Sequence, residues 1–132
     1  MSKANTLELI NMTFANAWGS TTPIAYQNVA FDMKANPEFV RFNVLFGEEK
    51  QVSFGSSNLP YRQYGRVSIQ VFTPPNRGAK RALELADSLS AIWRTKQIQG
   101  HVFSAPNTVI IGNVDGVYQL NVSIDFHVDY FY

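Results

Sequence analysis

Apolar positions along this chain follow two rhythms. Leu7, Ile10, Phe14, Ala17 and Trp18 recur at the three- and four-residue spacing of one helical face. That spacing predicts a first helix over Asn5 to Trp18, capped by Asn5 or Thr6 and ended by Gly19. Leu9 and Met12 fall on its opposite side. They read either as isolated exposed residues or as a second contact surface for a partner or sister subunit. The period then shortens to two. Ile24 to Val29 reads as a short strand, and Phe31 to Glu38 as loop. Phe39 to Phe46 alternates, with Val40, Phe42, Val44 and Phe46 on one face. Gly47-Glu48-Glu49-Lys50 reads as a turn, after which Gln51 to Phe54 resumes a strand.

The stretch from Tyr64 to Arg94 reads as strand, tight turn and helix. Val67, Ile69 and Val71 alternate with Arg66, Ser68 and Gln70. Pro74 and Pro75 cannot continue a ladder, and Asn76 is the expected cap of a second helix reaching about Arg94. Ala82, Ala86, Leu89 and Trp93 centre its apolar stripe, while Lys80, Glu84, Asp87 and Ala91 point away. Gln97 to Ser104 supplies a strand around Val102 and Phe103, and Thr108 to Val114 forms a hairpin with Val117 onward across Asp115-Gly116. From Val117 to Tyr132 the alternation never breaks. At about 3.3 Å per residue such a strand reaches roughly 50 Å, whereas a compact domain of this size is roughly 36 Å across. Its end must bend, fray or project. The aromatic Tyr130, Phe131 and Tyr132 are expected to pack on the first helix or on a neighbouring subunit. Strands flank two helices without regular βαβ alternation, so the expected class is α+β, a mixed, mainly antiparallel sheet with two main helices packed on it.

At 132 residues the chain is expected to be a single domain. Charged residues at 16% and aromatics at 14% argue against disorder and favour oligomerisation. A net charge of +1 makes no electrostatic demand for nucleic acid or an acidic membrane. With Cys at 0, disulfides, thiolate catalysis and Cys-type zinc sites are excluded. No apolar run approaches the roughly 20 residues of a membrane span. The N-terminal stretch is amphipathic, unlike a signal peptide, so a soluble chain retained where it is made is expected. The glycosylation patterns at Asn11 and Asn121 therefore carry no weight.

Candidate chemistry is sparse. Asp125, His127 and Asp129 share one strand face, but same-face neighbours lie about 6.6 Å apart, so three in a row cannot close on one ion. A polar, solvent-facing strand edge accounts for them. Glu48 and Glu49 sit side by side on the expected turn and do not converge. His101 has no identifiable partner. No nucleophile elbow, zinc helix or phosphate loop is present, so no catalytic residue, metal or cofactor is expected. The connection Gly55 to Gly65 exceeds the usual hairpin loop and carries Tyr61, Arg62 and Tyr64, the composition of a binding surface. Such residues also stack nucleic-acid bases, though no basic groove accompanies them. Arg77, Lys80 and Arg81 cluster at the start of the second helix. Each opposes the helix dipole by about 0.3–1 kcal/mol when exposed. The cluster is either a tolerated surface cost, a contact with an acidic neighbouring subunit, or a phosphate site. The missing Gly-rich loop favours the protein contact.

These segments taken in order resemble the phage tail-terminator-like (tail completion) family. The likeness runs from the amphipathic N-terminal helix through PIAYQNVAF and FVRFNVLFGEEKQVSFG to YRQYGRVSIQVFTPPNRGAKRALELADSLSAIWR and the terminal VYQLNVSIDFHVDY. It covers nearly the full length and rests on apolar periodicity and turn residues, without a catalytic signature. The resemblance implies a non-enzymatic protein that forms a hexameric ring at the head-proximal end of the tail tube. There it would stop tube polymerisation and present the head-joining surface. The implied partners are other copies of the chain, the major tail tube protein and a head completion or connector protein, with DNA only as cargo through the ring and no membrane. The implied location is the virion, with the host cytoplasm during assembly. On this reading Leu9, Met12, Tyr61, Arg62, Tyr64, Arg77, Lys80, Arg81, Tyr130, Phe131 and Tyr132 are the candidate interface residues. The alternatives are a head–tail connector or minor tube subunit and, in a different class, a small enzyme or nucleic-acid-binding module. The absence of a catalytic constellation and the net charge of +1 weigh against that last class.

Overall fold

Alternation of apolar and polar residues, sustained over three long strands, builds the sheet that carries everything else. The computed structural model describes residues 2–51, 60–76, 78–94 and 96–131. In chain order the elements are α1 (Lys3–Trp18), β1 (Ile24–Tyr26), β2 (Phe39–Gln51), β3 (Pro60–Thr73), α2 (Lys80–Trp93), β4 (Gln97–Ile98), β5 (His101–Phe103), β6 (Asn107–Val114) and β7 (Val117–Phe131). The sheet order is β1-β2-β3-β7-β5-β4, and β6 also pairs with β7. The β1–β2 pair is parallel, and the other pairs are antiparallel. The class is therefore the expected one, α+β with a mixed, mainly antiparallel sheet.

Both helices pack on one face. Ile10, Phe14 and Trp18 of α1 and Ala82, Leu85, Ala86, Leu89 and Trp93 of α2 join one core with the inward residues of β2, β3 and β7. Phe14 stacks on Phe42 with ring centroids 4.3 Å apart and 5° between the planes. Trp93 lies 4.9 Å from Phe103, so aromatic packing ties both helices to the sheet. The other face is largely open. Its own apolar cluster is small: Ala25, Phe39 and Phe72, with Phe31 of the preceding loop laid against Phe39 at 4.8 Å.

Several boundaries differ from the sequence reading. Helix α1 begins at Lys3 because the Ser2 side chain accepts from the Asn5 N–H at 3.2 Å. Asn5 and Thr6 are therefore inside the helix, and Ala17 is exposed. Gly19, at φ 59, ends it as expected. Helix α2 starts at Lys80 without a side-chain cap, while Asn76 occupies the turn at φ 63. Strand β1 stops at Tyr26 instead of Val29, and the expected strand Gln97 to Ser104 is a short hairpin, β4 to β5. Its turn residues Gln99 and Gly100 take φ 46 and 83. The β6–β7 hairpin turns at Asp115-Gly116, as the Asp-Gly pair predicts.

The largest corrections concern β2 and β3. Gly47 to Lys50 is not a turn: β2 continues to Gln51 through a bulge between Phe46 and Glu49. The bulged carbonyls of Gly47 and Glu48 are met by the buried Gln63 amide, whose Nε2 donates at 3.0 and 3.4 Å. Nor is Gly55 to Gly65 all connection, because β3 begins at Pro60 and places Tyr61, Arg62 and Tyr64 in a paired strand. The rest of that connection, and the expected strand beyond Gln51, lie outside the described residues.

Gly65 is the position where sheet packing requires a glycine. It faces Phe46 on one side and Phe126 on the other, and those rings meet edge to face at 6.4 Å. A Cβ at Gly65 would run into the Phe126 ring and stand 2.8 Å from the Leu45 carbonyl oxygen, a backbone atom that cannot swing aside. Gly65→Ala is expected to destabilise the protein by about 1–3 kcal/mol. Gly47→Ala, whose nearest neighbour would be the Tyr64 carbonyl oxygen at 3.5 Å, is expected to cost far less. Chemical denaturation of the two variants checks the difference.

Candidate assembly surfaces

The candidate residues lie in several separate places. On the open face, strict alternation of β3 and β7 sends residues 62, 64 and 66 out beside 129, 127 and 125. Arg62 grips Asp129 with two hydrogen bonds, 2.8 and 3.1 Å. Tyr64 lies over His127 with ring centroids 6.2 Å apart, and Arg66 meets Asp125 at 2.7 Å. Asp125, His127 and Asp129 are thus one half of a cross-strand ladder. They are on a central strand, not on an edge as expected. Among the described residues no group of three or more His, Asp or Glu is placed to hold a metal ion. At the bulge, next to the Arg66–Asp125 end of the ladder, lies a shallow cleft of about 390 Å³, lined by Leu45, Phe46, Gly47, Tyr64, Gly65 and Phe126 together with that ion pair.

Tyr61 parts company with Arg62 and Tyr64. It opposes Tyr130 across the ladder and so shares the helix-bearing face. Tyr130 itself is buried, at 1% exposure, and its hydroxyl lies 2.8 Å from Thr6 Oγ1 on α1. Of the two resting places expected for the C-terminal aromatics, Tyr130 takes its own N-terminal helix. Phe131 points the other way and is 67% exposed. Leu9 is half-buried and Met12 57% exposed. With Asn5, Glu8 and Gln99 they line a groove of about 330 Å³ on the outside of α1. At the start of α2, Arg81 makes a forked contact with Glu38 of its own chain, at 2.7 and 3.1 Å. The acidic partner expected on a neighbour is met internally for that residue. Lys80 is almost fully exposed, 3.9 Å from Glu84. Arg77 and Tyr132 lie outside the described residues.

Two buried polar residues, Thr6 and His101, have a role that the sequence reading missed. His101 is fully buried, and its Nδ1 faces the carbonyl oxygens of Ile98 at 3.0 Å and Gln99 at 3.2 Å. Carbonyls only accept, so Nδ1 carries a proton. Its Nε2 lies 2.9 Å from Thr6 Oγ1. When the ring is neutral, the Thr6 hydroxyl donates to His101 and accepts from Tyr130. This relay pins α1, the β4–β5 hairpin and the end of β7 together. Burial raises the pKa of the Tyr130 hydroxyl, with the Thr6 hydrogen bond acting against the rise. Thr6 was legible in principle, since it continues the α1 stripe four residues before Ile10.

Thr6→Val keeps the shape and leaves His101 Nε2 and the Tyr130 hydroxyl without that partner. It is expected to lower stability by about 1–3 kcal/mol, with Thr6→Ser much milder, as read from denaturation midpoints. The Arg62 hydrogen bonds hold the Asp129 carboxyl below its ordinary value of 3.8, against the opposing effect of burial. A lowered folded-state pKa means that the stabilisation is complete above 3.8 and lost as pH falls below it through the folded value. Asp129→Asn is therefore expected to cost about 0.2–1 kcal/mol at neutral pH, the range of a partly exposed pair. The difference from the parent is expected to shrink below pH 3.8 in a pH series of unfolding curves.

The fold recurs in solved structures. Among 21 matching chains, one is similar over 96% of this chain and 97% of its own, with a TM-score of 0.66 and 20% identity. At that identity the likeness speaks for the fold alone. No curated protein matches. A family model, described as phage tail terminator protein, matches residues 5–126, from the first turn of α1 to Phe126 in β7. By that match, which spans nearly the whole chain, the protein belongs to the phage tail terminator protein family.

Proposed function

We propose that this chain closes the tail tube. Copies form a ring of about six at the head-proximal end, stop tube polymerisation and offer the surface that the head joins. The family match over residues 5–126 carries this reading. The sheet supports it physically, because the helices cover only one face of a sheet whose other face ends in charged and aromatic side chains. The major tail tube protein and a head completion or connector protein are the proposed partners, and DNA passes through the ring as cargo. The protein is proposed to act without catalysis, as one domain, in the virion, after assembly in the host cytoplasm.

Within the proposed ring, the outward candidates are Met12, Tyr64, Lys80 and Phe131, each exposed. Arg62 and Arg81 serve first as internal ion-pair partners, which fixes their side chains for any outer contact.

Negative-stain imaging of the concentrated protein, alone and with purified tail tubes, tests the reading. Rings of about six subunits are expected, free or capping tubes, given that closed cyclic symmetry is the common outcome of self-association. Monomers under both conditions, with tubes that continue to lengthen, would overturn it.

A further inference from the structure

Strand β6 is an open edge. Among the described residues it pairs only with β7. Its residues are exposed except for the half-buried Gly112, and Val109, Ile110, Ile111 and Val114 are 48%, 53%, 46% and 39% exposed. No charged residue occurs from Ser104 to Val114. Edge strands are ordinarily blunted by charge, proline or a covering element. Here only a bulge at Ile110–Gly112 interrupts the edge. Thr108 and Ile110 stand opposite the core residues Val122 and Leu120. Ile110 thereby extends the apolar row beyond Leu120.

The far edge of the same sheet has matching chemistry. One row runs Ile110, Leu120, Val71, Val40, Ile24, from β6 to β1. Strand β1 pairs only with β2 among the described residues, and no charge occurs from Gly19 to Phe31. Beside it lies a cleft of about 470 Å³ lined by Gly19, Ser20, Thr22, Pro23, Ile24 and Tyr26. Strand direction also agrees. The parallel β1–β2 pair followed by three antiparallel steps makes β6 antiparallel to β1. In sense, a next copy whose strands run the same way therefore presents a β1 antiparallel to β6, and the twist between copies completes the alignment.

We infer that copies of this chain join edge to edge, β6 of one taking β1 of the next as its strand partner; this rests on the ring reading above. The occupant is a second copy because the two edges complement each other and β6 offers no charge for a strongly acidic or basic partner to engage. Unlike edges meeting head to tail make a heterologous contact, the kind that builds a ring when the rotation between copies closes, whereas β6 against β6 would stop at two. Strand β1 supplies only three residues, so the ladder is short, and Ile110 and Ile111 add apolar contact over the cleft.

With Cys at 0, the chain allows a clean test. Copies carrying only Ile111→Cys are mixed with copies carrying only Ser20→Cys, assembled on tubes and treated with a short bis-maleimide. Cross-linked pairs are expected in the mixture and not with either variant alone. In parallel, Val109→Lys and Ile110→Lys are expected to abolish rings while leaving the melting temperature of the subunit unchanged. Cross-links with Ile111→Cys alone would overturn the inference in favour of a two-fold contact. Cross-links to the tube protein in place of a second copy would overturn the occupant. Rings that form in both lysine variants would overturn the edge contact and leave the ring reading intact. A parent protein that forms no ring, even on tubes, would overturn both.

Discussion

The register between β3 and β7 is the constraint on which the rest depends. It runs unbroken from Pro60 opposite Phe131 to Thr73 opposite Tyr118. On one face it sets Val67, Ile69 and Val71 beside Ile124, Val122 and Leu120, all fully buried under the helices. On the other it sets Arg62, Tyr64 and Arg66 beside Asp129, His127 and Asp125. A slip of one residue would send Arg66 into the core and Val67 into water, and would break both ion pairs at once. The same ladder also answers the problem of strand length. Strand β7 stays paired with β3 up to Phe131 and does not fray within the described residues. Pairing with β3 supports it along one side, and β6 and β5 lie in line along the other.

What was legible in the sequence was what depends on local periodicity. The two helical stripes, the alternation of β2, β3 and β7 and the Asp115-Gly116 hairpin could be read because each is set by residues close in the chain. The misreadings share a different cause. Gly47-Glu48-Glu49-Lys50 has the composition of a turn, yet the strand continues because Gln63, far along the chain, satisfies the bulged carbonyls. Gly65 looked like the end of a loop. It is the gap into which Phe46 and Phe126 fit, a need visible only once three strands lie side by side. Asn76 has the chemistry of a cap but is held at φ 63 by the turn, leaving α2 to start uncapped at Lys80.

The candidate surfaces were less legible for the same reason. Tyr61, Arg62 and Tyr64 are sequence neighbours, but a strand sends alternate side chains to opposite faces, so no single partner meets all three on one surface. Tyr130 and Phe131 divide in the same way, one bonded to Thr6 and the other left in solvent. His101 had no visible partner because its partners come from α1 and from the backbone of its own tight hairpin. Buried polar groups of this kind contribute little net stability when satisfied and cost heavily when broken. The relay therefore acts on which structure forms more than on how stable it is. It fixes where the end of β7 sits against α1, and with it the direction in which Phe131 leaves the subunit.

Covering one face of the sheet and leaving the other bare has a consequence for assembly. A two-layer fold keeps its sheet edges and its open face available at once, whereas a third layer would hide the face and straps across β6 would hide the edge. The inward row that runs from Ile24 through Val40, Val71 and Leu120 to Ile110 is a continuous apolar strip that stops at both ends without a charge. Strands in such a sheet are rotated by roughly 20–25° from one to the next, so a sheet continued from copy to copy curves and does not run on flat. Closure removes the edges altogether, and an edge that has been removed cannot recruit further subunits. On the proposed reading, the property that lets copies of this chain find each other is therefore also the one that ends their own addition and makes the ring finite.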